Sequence, residues 1–386
     1  PSFLHMPDTL KTDKSFIAID AGGSNLRCAV ISFKKTKGYY EYKIEQESHH
    51  AMPGTLGKLS KSEFFNQLFT CLEPMLELSD TIGFCFSYPC EISNTLDGKL
   101  IRWTKEVNAP EVENLWIAQE LNSVIQKCGY TPKKIILLND TVATLLSSKL
   151  NSAEKKSDDC SAHKAHSAHI GFILGTGTNC AFTEVTQQEI INIESGAYNG
   201  INNTFIDLNL DEKSLNPNEY GFEKKISGRY LGNLCLELLK LAASRHLFSQ
   251  ECCDSIDEFY KSNNLESEQL NELLNSNRFF KGDVADEMTI RFLINVLIER
   301  AALFTAIQLF AVSKKIKNDL SAASQSKLHI NITIEGSTYY QLADYQEKIT
   351  RKFKYLMDRE EISYQLSKTE HASLLGAAIA AAGENT

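Results

Sequence analysis

No pair of cysteines in this chain has Cys-x-x-Cys spacing, although there are ten cysteines; they are irregularly spaced, and only Cys252 and Cys253 are adjacent. That pattern argues against a Cys-rich zinc loop and a disulfide framework, and fits the reduced thiols of a cytoplasmic protein. Basic charge is also in deficit. The net charge of -9 argues against nucleic acid and anionic membrane surfaces as partners. The amino terminus has no basic segment followed by an apolar stretch, so no signal peptide is expected. No long apolar run is free of polar residues. The most apolar segment, 292–312, contains Asn295, Glu299, Arg300 and Gln308, so it is expected to be a core helix rather than a membrane span. What remains is a globular chain. Its 386 residues suggest about two domains, and its 42% hydrophobic content is enough for a sizeable core.

The most informative segment runs from Ile135 to Leu146. Ile135-Ile136-Leu137-Leu138 reads as a buried strand, and Asn139-Asp140 follows at its carboxyl end, where open α/β sheets bind ligands. Thr141 or Asp140 can cap a helix that starts there. Asn139 offers a donor and an acceptor, and Asp140 offers a base, which suits a polyhydroxylated substrate that must lose one proton. Asp140 as a plain helix cap is the competing reading of this segment.

Two Gly-rich hairpins stand about one domain length apart. Phe16–Asp20 and Leu26–Ile31 flank Ala21-Gly22-Gly23-Ser24-Asn25. His169–Leu174 and Cys180–Phe182 flank Gly175-Thr176-Gly177-Thr178-Asn179. Glycine at such turns lets backbone N–H groups face an anion, so the pair reads as a duplicated phosphate loop. The polar stretch 151–168, with His163 and His166 leading to His169, invites a metal reading, but a solvated loop insertion is the simpler one. Residues 230–247 and 256–275 read as amphipathic helices, 330–334 as a strand, and 373–382 as a terminal helix with Gly376 near its start.

Taken in order, several segments resemble the eukaryotic-type hexokinases, including glucokinase, of the actin-like sugar kinase superfamily. They are Asp20–Arg27, Phe86-Ser87-Tyr88-Pro89, Leu100–Lys105, Leu138–Leu146, Gly175–Asn179, Ile193–Tyr198, Ser214–Pro217, Phe222-Glu223-Lys224, Ile226–Gly232, Glu335-Gly336-Ser337 and Gly376-Ala377-Ala378. The resemblance implies an α/β fold of two lobes, actin-like (ribonuclease H-like), with a central cleft. Residues 14–138 with 373–386 would form the small lobe, and 139–372 the large one. It also implies ATP- and Mg²⁺-dependent phosphorylation of a hexose, glucose foremost, at the 6-hydroxyl, for glycolysis in the cytoplasm.

The resemblance assigns roles residue by residue. Asp140 is the catalytic base and Lys105 adds positive charge beside it, although a lysine after Trp103 could also be a plain surface residue. Ser87, Thr104, Lys105, Asn139, Asp140, Asn179, Glu194 and Glu223 hold the sugar. Asp20, Gly22, Gly23, Ser24, Asn25, Arg27, Thr176, Gly177, Gly228, Arg229, Gly336 and Ser337 surround the nucleotide. Asp20 would hold Mg²⁺ through water, since that ion keeps much of its hydration shell. Ser24 stands where Thr is common, Ser195 where an aromatic residue is frequent, and Glu335 where Asp is frequent. The competing readings are a non-catalytic sugar sensor and the bacterial repressor and glucokinase group. Asp140, Lys105 and Asp20 all being present weighs against the first. The lack of a Cys-rich zinc loop and of a DNA-binding helix pair weighs against the second.

Overall fold

Runs of β-branched and aromatic residues build two sheets of five strands each. The computed structural model describes residues 2–104, 107–151, 166–262, 264–275, 279–323 and 328–383. In the first sheet, β1 (Ser15–Gly22), β2 (Asn25–Thr36) and β3 (Tyr39–Ala51) form an antiparallel meander. β4 (Thr81–Phe86) pairs parallel to β1. β5 (Cys90–Ile92) and β6 (Gly98–Leu100) make a separate hairpin, and β7 (Lys134–Leu138) pairs parallel to β4. α1 (Lys61–Leu72), started by a Ser60–Glu63 capping box, and α2 (Ile117–Lys127) cover one face. Their Phe64, Phe65, Leu68, Leu121 and Ile125 pack with Ile17, Ile19 and Phe84.

α3 (Asp140–Asn151) leads into the second sheet, made of β8 (His166–Leu174), β9 (Thr178–Thr183), β10 (Ile190–Asn192), β11 (Leu328–Glu335) and β12 (Ser363–Ser367). The two sheets share one topology. The first has the order β3-β2-β1-β4-β7 and the second β10-β9-β8-β11-β12, each with an antiparallel meander followed by two parallel strands. The two Gly-rich turns thus join equivalent strand pairs in separate sheets. Helices α4 (Phe205–Lys213), α5 (Glu223–Ile226), α6 (Gly228–Ser244), α7 (Gln250–Ser262), α8 (Ser267–Asn275) and α9 (Val284–Ala323) lie between β10 and β11. α10 (Ser337–Gln341) and α11 (Tyr345–Arg359) connect β11 to β12, and α12 (Ala372–Ala382) follows. This is an α/β fold of two lobes.

Three expectations need correction. The helix expected over 256–275 is two helices, α7 and α8, and between them the Leu265 N–H donates to Asn233 Oδ1 instead of continuing a helix. The core helix expected over 292–312 runs for 40 residues. It is long and apolar enough to cross a membrane, yet Ile290, Ile294, Leu297, Ile298 and Leu309 are buried in the second lobe's core. The cap of α3 is neither Thr141 nor Asp140. It is Asn139, whose Oδ1 accepts the Thr141 N–H at 2.9 Å.

A third apolar cluster joins the lobes, and α3 and α12 lie at its centre. Close approach there depends on missing side chains. A Cβ on Gly83 of β4 would lie 1.8 Å from Ala377 O, and one on Gly171 of β8 would lie 2.5 Å from Thr141 O. One on Gly376 would lie 1.9 Å from Ala143 O. Backbone therefore packs on backbone from the first sheet through α12 and α3 to the second sheet. Residues 2–11 run along both lobes, with Ser2 N–H on Ile190 O and Lys11 N–H on Ala382 O.

Candidate active site

The parallel strands of both sheets deliver polar residues at their carboxyl ends, where such sheets hold ligands. Asp20 and Gly22 end β1, Ser87 follows β4, and Asn139-Asp140 follows β7. Thr176 and Gly177 follow β8, and Glu335 to Ser337 span the end of β11.

On the first lobe, Asp20 is buried and ion-paired to Arg27 through Oδ2. Arg27 also meets His371, which precedes α12, at 3.1 Å. A Cβ on Gly22 would lie 3.5 Å from Ser87 Oγ and 3.7 Å from Asp20 Oδ1, so these three groups are adjacent. Gly23 has φ +59°, its carbonyl accepts the Tyr88 hydroxyl at 2.9 Å, and Ser24 and Asn25 are exposed at the turn. Thr104 is exposed, and its loop is anchored by Trp103. The Trp103 indole donates to Ala109 O at 2.8 Å, and its ring packs on Phe64, Phe86 and Tyr88. Lys105 lies outside the described residues.

Asp140 opens α3. Its Oδ1 accepts the Thr141 N–H at 2.7 Å, while Oδ2 has no hydrogen bond among the described residues. Cys85 lies beneath. Burial pushes its thiol well above the usual range, and the negative charges of Asp20, Asp140 and Glu335 push it further. Glu335 accepts from Thr144 Oγ1 at 2.9 Å and Ser373 Oγ at 3.2 Å, joining the end of β11 to α3 and α12. Burial raises the Glu335 carboxyl, and the charges of Asp20 and Asp140 add to that rise. Asp20 Oδ1 is without a hydrogen bond among the described residues. A free carboxylate oxygen in so negative a setting fits a hydrated divalent cation.

On the second lobe, Asn179 organises an amide–carboxylate set. Its Oδ1 accepts the Cys180 and Ser195 N–H groups at 2.7 and 3.2 Å. Its Nδ2 donates to Asn192 Oδ1 at 2.9 Å and Glu194 Oε1 at 3.2 Å, and Asn192 Nδ2 reaches the same Glu194 oxygen at 2.7 Å. Glu194 is left-handed, with φ +52°, and burial raises its carboxyl, helped by the Asp140 charge. Glu223 accepts the Thr178 N–H at 3.0 Å. It sits where a Cβ on Gly177 would come within 2.7 Å of its Oε2, so a larger residue there would push the Glu223 carboxylate aside. Burial raises Glu223 as well, and Glu194 adds to the effect.

The nucleotide-side residues also converge. Gly175 O accepts the Gly228 N–H and the Thr338 hydroxyl, each at 2.9 Å, and Thr176 O accepts the Arg229 N–H at 3.2 Å. A Cβ on Gly336 would lie 2.3 Å from Leu174 O, and Ser337 is exposed beside it. The Gly175–Thr178 turn, the start of α6 and the end of β11 therefore form one rim.

Several neighbours were invisible to the sequence reading. Gln308 of α9 donates from Nε2 to Ser195 Oγ at 2.6 Å, and its Oε1 is buried with no partner among the described residues. It braces the turn at the position where the resemblance leads one to expect an aromatic residue. Asn192 and Thr178 were missed too; both lie beside residues that were chosen. His169 is no metal ligand. Its ring pairs with Ser148 at 2.6 Å, and burial depresses it to about 3. No metal-ligating group of three His, Cys, Asp or Glu occurs among the described residues, and His163 lies outside them.

Two equivalent sheets joined through α3 and α12 define a two-lobed α/β architecture of the kind found in solved hexokinases. The Schistosoma mansoni hexokinase complexed with glucose superposes with TM-score 0.73 at 23% identity, covering 99% of this chain and 88% of that one. The ROK hexokinase of Thermus thermophilus shares the fold at TM-score 0.58 and 14% identity, covering 95% of this chain and 97% of that one. Hexokinase family models match residues 1–150 and 169–383, and the chain belongs to the hexokinase family. Relatives include Hexokinase-1 of Homo sapiens, 26% identical over 414 residues, and the hexokinase of Kluyveromyces lactis, 27% identical over 419. The alignments cover 99% and 97% of this chain, but 43% of the human protein and 81% of the yeast one. The chain thus spans less than half the length of its mammalian relatives.

Proposed function

We propose that this chain transfers the γ-phosphoryl group of ATP to the 6-hydroxyl of a hexose, glucose foremost, giving hexose 6-phosphate and ADP. The observation that carries the reading is the placement of Asp140. Its Oδ2 has no hydrogen bond among the described residues, it follows the end of β7, and its charge acts on both Glu194 and Glu335. Asn139, Asn179, Glu194, Glu223, Ser87 and Thr104 would hold the ring hydroxyls, since amides and carboxylates each pair with one or two of them. Asp140 would accept the proton of the attacking hydroxyl. Lys105 belongs to this proposal through the family alone. The backbone N–H groups of the 22–25 turn and of Thr176 and Gly177 would receive phosphate oxygens, with Arg229, Gly228, Gly336 and Ser337 around the nucleotide. Mg²⁺, held by Asp20 through water, would neutralise phosphate charge. The lobes, 14–138 with 373–386 and 139–372, would close on the sugar to keep water from taking the phosphoryl group. Nine free cysteines among the described residues support a cytoplasmic setting.

A coupled assay with ATP and Mg²⁺ across glucose, mannose, fructose and glucosamine tests this. ADP release that depends on one of these sugars is the expected result. Calorimetric sugar binding without ADP release would instead mark a sensor.

Gln308 offers a second test. Gln308→Leu leaves the Ser195 hydroxyl unpaired beside Glu194, a loss of about 1–3 kcal/mol for a buried polar group. The KM for sugar should rise on the order of tenfold, with a smaller change in kcat. Adding Ser195→Ala removes both partners and should restore most of the affinity, which a general packing defect would not allow.

A further inference from the structure

One face of α9 is buried in the second lobe, and the opposite face carries a line of exposed apolar side chains. Val284 is 72% exposed, Met288 67%, Phe292 66%, Val296 48%, Leu303 43% and Ile307 45%. They follow one another at four- and seven-residue steps, so they form one ridge on the helix. Farther along the same exposed line come Lys314, Lys315 and Asn318, the side chains that a solvated helix face ordinarily carries. The apolar part is therefore bounded. These fractions leave on the order of 700 Å² of surface, above the few hundred Å² of an ordinary exposed patch and near the roughly 800 Å² per partner of a stable interface.

We propose that this ridge is where a second copy of the chain docks, with the two α9 helices antiparallel about a twofold axis. The residue spacing is what selects this partner. Val284 and Ile307 lie equally far from the point between Asn295 and Val296, and so do Met288 and Leu303. In an isologous contact, Val284 meets the partner's Ile307, Met288 meets the partner's Leu303, and the two Val296 side chains meet near the axis. The charges beside the ridge are already neutralised within each chain. Arg291 pairs with Glu287, Arg300 with Asp207, and Glu299 with Lys348 and Lys352 of α11. A membrane surface is the weaker occupant, because the chain carries a net charge of -9 and the ridge has no run of lysines along its apolar part.

Sedimentation equilibrium of the whole chain tests the proposal independently of catalysis. The expected result is a species of twice 43.3 kDa. Phe292→Glu and Met288→Glu should each weaken dimerisation roughly 30-fold or more, the effect of losing a central apolar anchor. Should a variant fail to fold by circular dichroism, the Cys128→Ser/Val296→Cys protein provides the second readout. It should form an intermolecular disulfide under mild oxidation, whereas Cys128→Ser/Leu56→Cys, altered at an exposed site on the first lobe, should not. A wild-type chain that is monomeric on the order of 100 µM overturns the proposal, since interfaces of this size span µM to pM affinities. A dimer unaffected by both Glu variants also overturns it. So does a monomer that floats with lipid vesicles, because the ridge would then face a membrane.

Discussion

Asp140→Asn should lower turnover by roughly 10²–10⁴-fold while sugar affinity changes far less. Loss of a positioned general base is typically worth that much, and the amide can still pair with a hydroxyl. The structure separates this outcome from a capping defect. Asn139 Oδ1 and Asp140 Oδ1 both accept the Thr141 N–H, at 2.9 and 2.7 Å, and an asparagine at 140 keeps an acceptor there. If Asp140 were only a helix-start residue, the substitution would cost about 1 kcal/mol of stability at most and leave turnover intact. Asn139→Ala should show the opposite bias, because it removes the cap oxygen and a sugar contact but leaves the base. Its KM for sugar should rise and its kcat should fall less. Steady-state kinetics on both variants, read beside their thermal melts, decide whether Asp140 is the base or only the first residue of α3. Near-wild-type turnover in Asp140→Asn would sink the mechanism.

Chemistry confined to one short segment was legible in the sequence. The strand Ile135–Leu138 and the residues after it declare themselves, because the run of aliphatic residues stops where Asn139 and Asp140 begin. The two glycine turns do the same, and their equivalence is now a shared strand order in two sheets. Contacts made across long separations were not legible. Glu335 stands where the resemblance leads one to expect Asp, yet it bonds Thr144 and Ser373, 191 and 38 residues away in sequence. Gln308 is an ordinary polar residue until α9 places it on Ser195, 113 residues earlier. α9 itself is apolar nearly all round, so periodicity marks it as a helix but cannot say which face is buried. The interruption between α7 and α8 involves Asn233 of another helix, a partner that local pattern cannot supply.

The joint between the lobes makes an expectation whose sign is set by packing against propensity. Gly376 lies within α12, where replacing glycine with alanine ordinarily stabilises a helix by about 1 kcal/mol. Here the new Cβ would lie 1.9 Å from Ala143 O and 2.4 Å from Ala143 C, and backbone cannot swing aside as a side chain can. Gly376→Ala should therefore destabilise by about 3 kcal/mol or more, the upper range of overpacking, and lower Tm by roughly 5–10 °C. Gly57→Ala is the control, since its Cβ meets nothing within 4 Å and it should be close to neutral. The variant also reports on the site. Ala143 is one turn beyond Asp140 on α3, and Glu335 binds α3 and α12 through Thr144 and Ser373. Forcing the helices apart moves the base relative to Asp20 on the other lobe, and a displacement of about 1 Å can cost on the order of 100-fold in rate. Thermal unfolding and sugar-dependent ADP release, measured together well below the lowered Tm, should both fall. An alanine variant with a raised Tm would mean that the α3–α12 contact yields freely, and the joint would then not be the rigid element that sets Asp140 against the first lobe.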